Sequence, residues 1–195
     1  MIQEKEYKSR RNTLAKKLSK NSITVLYSAE EKTRSNDTQY PYRQDSNFYY
    51  LTGFKENNSA LVIIKKKNKY KSILFVQEKD KELELWTGKR LGKKDAKKRF
   101  DVDKVYISKK INKKIRKFLT DKKSLYYDFK STTKSVEKLI KLSNKISNKK
   151  DISPEVEIMR LIKSSSEINL IQKAINITKE AHHYAMSKVK LDKRE

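Results

Sequence analysis

Two short apolar runs, Ala60-Leu61-Val62-Ile63-Ile64 and Ser72-Ile73-Leu74-Phe75-Val76, flank a lysine-rich turn around Asn68. β-Branched and aromatic residues in runs of this length, bounded by a polar turn, form an antiparallel hairpin. Such a pair needs further elements against it to be stable in water. Ile23-Thr24-Val25-Leu26-Tyr27 supplies a strand before it, and residues 4–19 read as an opening helix with Tyr7, Leu14 and Leu18 near helical spacing. After the hairpin, Leu83-Glu84-Leu85-Trp86 alternates as a strand does and stops at Thr87-Gly88. Val105-Tyr106-Ile107 and Leu125-Tyr126-Tyr127 read as two more strands. Ile111, Ile115, Phe118 and Leu119 fit one helix face, and Val136, Leu139, Ile140 and Leu142 fit another. Early hairpin strands followed by strand–helix alternation predict an α/β fold, a mixed β-sheet flanked by helices.

With 195 residues there is room for one full domain and a piece of a second. Composition turns almost wholly polar over 144–151, which predicts a boundary, with one domain over 1–150 and a second segment over 151–195. Glu155-Val156-Glu157-Ile158-Met159-Arg160-Leu161-Ile162-Lys163 reads as an extended connector. Ser164 and Glu167 then form a capping box before an apolar periodic run, the signature of a helix start. Ile168, Ile171, Ala174, Ile175, Thr178, Ala181 and Ala185 make one face of a long helix over 165–188. That face needs a partner and the remaining residues supply none. The sequence is therefore expected to stop one helix into its second domain.

The net charge is +25, but only nine of the 49 basic residues are arginine. Base readers and phosphate clamps lean on the planar fork of arginine, and here lysines are spread over nearly every segment. Solvated lysine faces on an ordinary domain are expected, with no specific nucleic acid as partner. No run approaches the ~18 apolar residues of a membrane span, so no membrane partner is expected. The N-terminus runs straight into charge with no apolar region behind it, and cysteine is absent, in keeping with a cytoplasmic home. With three glycines, no Gly-x-Ser-x-Gly and no cysteine, phosphate loops and nucleophile elbows are not expected.

One stretch departs from the lysine-rich background: Thr33-Arg34-Ser35-Asn36-Asp37 through Tyr40-Pro41-Tyr42-Arg43-Gln44-Asp45-Ser46-Asn47-Phe48-Tyr49-Tyr50-Leu51-Thr52-Gly53-Phe54. Its first half reads as a loop constrained by Pro41, and Asn47 to Leu51 as a strand ending at Thr52-Gly53. The stretch resembles the bacterial Xaa-Pro aminopeptidases (aminopeptidase P) of the creatinase/prolidase pita-bread metallopeptidases. Leu85-Trp86-Thr87-Gly88-Lys89-Arg90-Leu91-Gly92, Met159-Arg160-Leu161-Ile162-Lys163 with Ser166-Glu167-Ile168, and Ala181-His182 with Ala185-Met186 extend the likeness along the chain.

The resemblance implies the aminopeptidase P N-terminal domain followed by the first long helix of a truncated pita-bread domain. It implies release of the first residue from peptides with proline second, by two manganese ions bridged by hydroxide. The family's two aspartates, histidine and two glutamates lie in the pita-bread domain, and this chain lacks that set. No catalytic residue and no metal ligand is therefore expected here. His182 and His183 are neighbours pointing ~100° apart, and Glu180-x-x-His183 lacks the second such motif that carboxylate-bridged sites require. By resemblance Asp37, Arg43, Trp86 and Arg160 belong to the substrate cleft. Asp37 and Arg43 are equally a staple within their loop, Trp86 a core anchor, and Arg160 a surface ion pair or a partner of Asp37. The tyrosines of the stretch are expected mostly to pack. A homo-oligomer, tetramer or dimer, is implied for the full-length parent. The rival reading is a stand-alone, non-catalytic module for oligomerisation or nucleic-acid binding.

Overall fold

A computed structural model describes residues 2–189. Helix α1 (Glu4–Lys17) leads into strand β1 (Ser22–Tyr27), a small exposed hairpin of β2 (Thr33–Ser35) and β3 (Thr38–Gln39), and helix α2 (Ser46–Thr52). The long hairpin of β4 (Ala60–Lys66) and β5 (Lys69–Val76) follows, then helices α3 (Lys81–Thr87) and α4 (Gly92–Arg99). Next come β6 (Lys104–Ile107), α5 (Ile111–Leu119), β7 (Ser124–Tyr127), α6 (Lys134–Leu142) and β8 (Asn148–Asp151). Two helices follow, α7 (Ser153–Leu161) and α8 (Ser165–Lys188).

Six strands form one mixed sheet in the order β6-β5-β4-β1-β7-β8, as an α/β reading requires. Strand β4 runs against both its neighbours, and every other pairing is parallel. Val25 faces Val62 across β1 and β4, and Ile23 faces Leu125 across β1 and β7. Helices cover both faces, because strands as continuously apolar as β1 and β4 have two sides to bury. On one face Leu26, Leu61, Ile63 and Leu74 pack with Leu14 of α1, Phe48 and Leu51 of α2, Ala96 of α4 and Val156 of α7. On the other, Val25, Val62, Phe75 and Leu125 pack with Ile115 and Leu119 of α5 and Val136 and Leu139 of α6.

Two arginines bind α1 to the rest. Arg11 is 1% exposed. Its guanidinium donates to the carbonyl of Leu51 at 2.7 Å and to that of Asp101 at 2.6 Å. Burial lowers its pKa from the ordinary arginine value. Arg10 donates to the carbonyl of Tyr50 at 3.1 Å, pairs with Glu6, and lies 4.1 Å from the centre of the Tyr50 ring. The last carbonyls of a helix lack intrahelical partners, and here cations supply them. Gly53 ends α2 at φ 67°, with the Tyr7 ring so close that a Cβ would sit 2.6 Å from it. Both the backbone angle and the space demand glycine.

Three segments differ from the sequence expectation. Residues 47–51, expected as a strand, lie in α2. Asp45 caps that helix through the Phe48 N–H at 2.7 Å, and Phe48, Leu51 and Thr52 bury one helical face. Residues 83–86, also expected as a strand, lie in α3. Asp80 caps it through the Leu83 N–H, Glu82 and Glu84 favour its first turn, and none of its residues is buried. The alternation of leucine and glutamate there reflects no burial pattern. The expected extended connector is α7, which starts at Ser153-Pro154, with Asp151 accepting from the Ser153 N–H at 3.0 Å. The polar segment 144–151 contains the edge strand β8, whose Lys150 stands opposite Tyr126.

Contacts divide the chain into two compact units. One spans residues 3–159 and the other holds Ile2 and the chain from Arg160 on. In the second unit α8 is a single helix of 24 residues opened by the expected capping box, with Ser164 and Glu167 exchanging hydrogen bonds at 3.2 and 2.9 Å. Its apolar residues Ile168, Ile171 and Ile175 are about half exposed.

A buried carboxyl fastens a loop of the first unit. Glu56 accepts from the Leu91 N–H at 2.8 Å, while its other oxygen is buried with no hydrogen-bond partner. Burial raises its pKa, and the Leu91 N–H and Arg90 only partly oppose this. A carboxyl raised in the folded state contributes its full stability below its unfolded pKa, near 4.5, and loses it as pH rises through the folded value. Glu56→Gln keeps an acceptor for Leu91. We expect it to be more stable than the parent chain at pH 7, with the difference vanishing towards pH 4. Melting temperatures at the two pH values test this, and a glutamine variant that is less stable at pH 7 contradicts it.

Arg11→Met should cost about 2–4 kcal/mol in urea unfolding, since it strands two buried carbonyls that now receive charge-assisted bonds. Arg11→Lys should recover less than half of that, because one ammonium cannot reproduce the fork. A loss below about 1 kcal/mol for the methionine variant would show that neither bond matters.

Candidate cleft face at the carboxyl edge of the sheet

Because β4 alone is reversed, the carboxyl ends of β1, β5, β6, β7 and β8 share one edge. Open α/β sheets bind ligands outside the carboxyl ends of their strands. Two hollows open there. One of about 650 Å³ lies between the segment after β1 and the segment after β7, with Tyr27, Tyr42, Arg43, Asp128, Lys130 and Thr133 in its walls. The other, about 340 Å³, lies at the ends of β1, β5 and β6 and includes Ser28, Ser59, Gln77, Leu83, Arg90 and Ser108.

The segment after β1 is a folded-back loop with its own fastening. Gln44 accepts from the Ala29 N–H at 2.8 Å and donates to the carbonyls of Phe54 at 3.3 Å and Glu56 at 3.0 Å. The Tyr42 hydroxyl donates to the Ala29 carbonyl at 3.2 Å, and burial pushes its pKa up to about 12. Tyr50 donates to the Met159 carbonyl at 2.9 Å. Tyr42 and Tyr50 are thus both held through their hydroxyls, as buried tyrosines commonly are. Tyr40 is exposed.

Asp37 and Arg43 stand on this loop and are both exposed. Asp37 sits in the turn between β2 and β3, beside Asn36 at φ 43°. Among the described residues neither side chain makes an ion pair, so the loop is stapled by Gln44 and not by these two charges. Trp86 is carried by α3, on the connection that leaves β5 at the same edge, and is 89% exposed. A side chain so open anchors no core. Arg160, half-buried in the last turn of α7, belongs to the second unit. Asp37, Arg43 and Trp86 therefore share an edge by topology, with no bond to one another.

Sequence reasoning missed Gln44, the residue that holds the loop, because a glutamine in a loop leaves no periodic trace. It passed over Asp128 as well, whose carboxylate receives the Ser153 hydroxyl at 2.8 Å and the Lys130 N–H at 2.8 Å and so ties the second wall of the larger hollow to the start of α7. An aspartate directly after an apolar run was the available signal. Among the described residues no three His, Cys, Asp or Glu side chains come together as a metal ion needs, and His182 and His183 are exposed on α8. The donors among the described residues do not fit a two-metal centre.

Residues 7–126 match the family model described as aminopeptidase P, N-terminal domain. A Haemophilus influenzae Xaa-Pro aminopeptidase is 36% identical over 95% of the chain and 43% of its own length. The solved structure of Escherichia coli aminopeptidase P with the inhibitor Pro-Leu superposes with a TM-score of 0.91 at 32% identity, over 97% of this chain and 46% of that one. A zinc-substituted form of the E. coli enzyme in complex with product gives the same score at 31% identity, also over 97% and 46%. The chain spans less than half the length of each of these proteins. It belongs to the aminopeptidase P family, and its first compact unit has the fold of that family's N-terminal domain.

Proposed function

We propose that this chain serves as the amino-terminal part of an Xaa-Pro aminopeptidase, a metallopeptidase that removes the first residue from peptides with proline second. The observation that carries the reading is the match to Xaa-Pro aminopeptidases along nearly the whole chain. In it the carboxyl-edge loops form the substrate side of the cleft. Arg43 and Asp37 project from a loop whose stem is fixed by Gln44 and by the capped helix α2, so their charges reach outward from a rigid base. Arg160 is assigned to the substrate side as well. Trp86 presents its indole to a cleft, in an oligomeric parent that of a neighbouring subunit in a dimer or tetramer. The polypeptide from α8 onward is the opening of the pita-bread domain. Two manganese ions, which supply the polarised carbonyl and the hydroxide, are held by ligands that this chain does not contribute. The enzyme works in the cytoplasm.

Trp86→Ala in the full-length parent should lower kcat/KM for an Xaa-Pro peptide by about tenfold, a loss of roughly 1.4 kcal/mol of transition-state binding. The melting temperature of the N-terminal domain should stay within about 1 °C, because an exposed side chain away from special features affects stability little. A loss of several kcal/mol in stability, as when a buried aromatic is truncated, would make Trp86 structural. Arg43→Ala should behave likewise, and unchanged kinetics for both variants would remove this edge from the cleft. The purified 195-residue chain should release no first residue from such a peptide with manganese present, and metal-dependent release would overturn the assignment of the metal ligands.

A further inference from the structure

At the opposite edge of the sheet, beside the turn of the β4–β5 hairpin, lies the largest of the hollows described here, of about 1250 Å³. Helix α5 stops at Leu119 and leaves the sheet face next to it open. Ile64, Ile73 and Tyr106 form the floor and Phe118 the wall. Seven lysines line it and no arginine does. Strand register brings them together: Lys66 stands opposite Lys69, Lys71 opposite Ile64, and Lys104 opposite Ile73. Lys117 and Lys122 come from the end of α5 and the turn beyond it.

Like charges facing each other across a strand pair destabilise the sheet. Elsewhere, among the described residues, five lysines meet a carboxylate: Lys8 with Asp101, Lys17 with Glu155, Lys79 with Asp95, Lys109 with Glu78 and Lys130 with Glu157. Among the described residues none of the seven lysines of this hollow has an ion pair. Asp103, at the margin, is already engaged by the N–H and hydroxyl of Ser72 at 2.7 and 2.9 Å. Burial, with Lys66 adding to it and Asp121 partly opposing it, lowers the pKa of the Lys122 ammonium. With Asp103 and Asp121 the only carboxylates in the lining, the seven lysines leave positive charge in excess over an apolar floor.

We propose that this hollow binds a nucleoside polyphosphate, its phosphates on the strand lysines and its base on the floor beside Phe118. Lysine binds phosphate as a point charge, and several ammonium groups within strand spacing need several anionic charges to neutralise them. A bare inorganic anion leaves the apolar lining uncovered, and ligand sites of this kind combine an apolar lining with a few polar groups. A nucleic-acid strand needs an extended groove with successive stacking rings, whereas Tyr70, Tyr106 and Phe118 here surround one concave hollow.

Calorimetric titration of the purified chain at 150 mM salt, with adenosine triphosphate, inorganic tripolyphosphate and adenosine as separate probes, tests the proposal. Adenosine triphosphate should bind at least about tenfold more tightly than either half-ligand, since both charge and ring contribute. The exposed-site double variant Lys71→Ala/Lys104→Ala should weaken it at least about tenfold, a loss of roughly 1.4 kcal/mol, with an unchanged circular dichroism spectrum. Phe118→Ala should weaken the nucleotide and leave tripolyphosphate unaffected. Equal binding of tripolyphosphate and nucleotide, unaltered binding by the double lysine variant, no binding at all, or tighter binding of an oligothymidine strand would each overturn it.

Discussion

The fold is held at its seam by one buried cation. Arg11 brings together three segments distant in sequence: its own helix, the end of α2 through the Leu51 carbonyl, and the turn before β6 through the Asp101 carbonyl. Each accepting carbonyl lies where regular structure ends and a backbone partner is missing. Burying a guanidinium is costly unless its donors are met, and two carbonyls meet most of that need here, although its Nε has no partner. A chain that is 37% charged and 35% hydrophobic has limited apolar surface with which to specify how its first helix docks. Directional bonds from Arg10 and Arg11 add what apolar contact alone leaves loose.

The same seam bears on the edge where the family likeness is strongest. Helix α2 is fixed at its start by Asp45 and at its end by Gly53 and the two arginines. The loop that feeds it inherits that rigidity through Gln44, which touches Ala29, Phe54 and Glu56 at once. The tyrosine-rich stretch is thus two things in one run. Tyr42, Gln44, Asp45, Phe48 and Tyr50 hold the structure together, and Arg43 and Asp37 point away from it.

What was legible in the sequence follows the strength of the local signal. The β4–β5 hairpin, β1, β7, α5 and α6 were plain because burial sets their periodicity, and α8 because Ser164 and Glu167 announce it. Helices α2 and α3 were misread for opposite reasons. In α2 the aromatic residues suit a strand by propensity, but the cap at Asp45 and the glycine eight residues on override it, and those two residues were readable. In α3 no side chain is buried, so the alternation of Leu83 to Trp86 carried no information about packing. Helix α7 begins at Ser153-Pro154, a helix-start signal that the reading of 155–163 as an extended connector left unused. The lysine hollow was out of reach altogether: Lys66, Lys71, Lys104 and Lys122 look dispersed along the chain, and only the order of the strands gathers them. Arg43 and Asp37 were found through the family pattern, while their exposure and lack of a mutual bond needed coordinates.

The reversed strand β4 also fixes when the sheet can be completed. Lys66 meets Lys69 across a tight turn, and Tyr27 meets Ala60 after the β2–β3 hairpin and α2, but Ser22 meets Ser124 only when most of the first unit has been made. Local pairings form fast and distant parallel ones slowly. During synthesis the trio β1, β4 and β5 therefore exists for a time with one flank of β1 uncovered, an open strand edge of the kind that seeds intermolecular pairing. That flank carries Ile23 and Thr24, and its rescue waits on β7. Slow translation between Val76 and Tyr127 lengthens that exposure, because β7 must be made before the flank is covered.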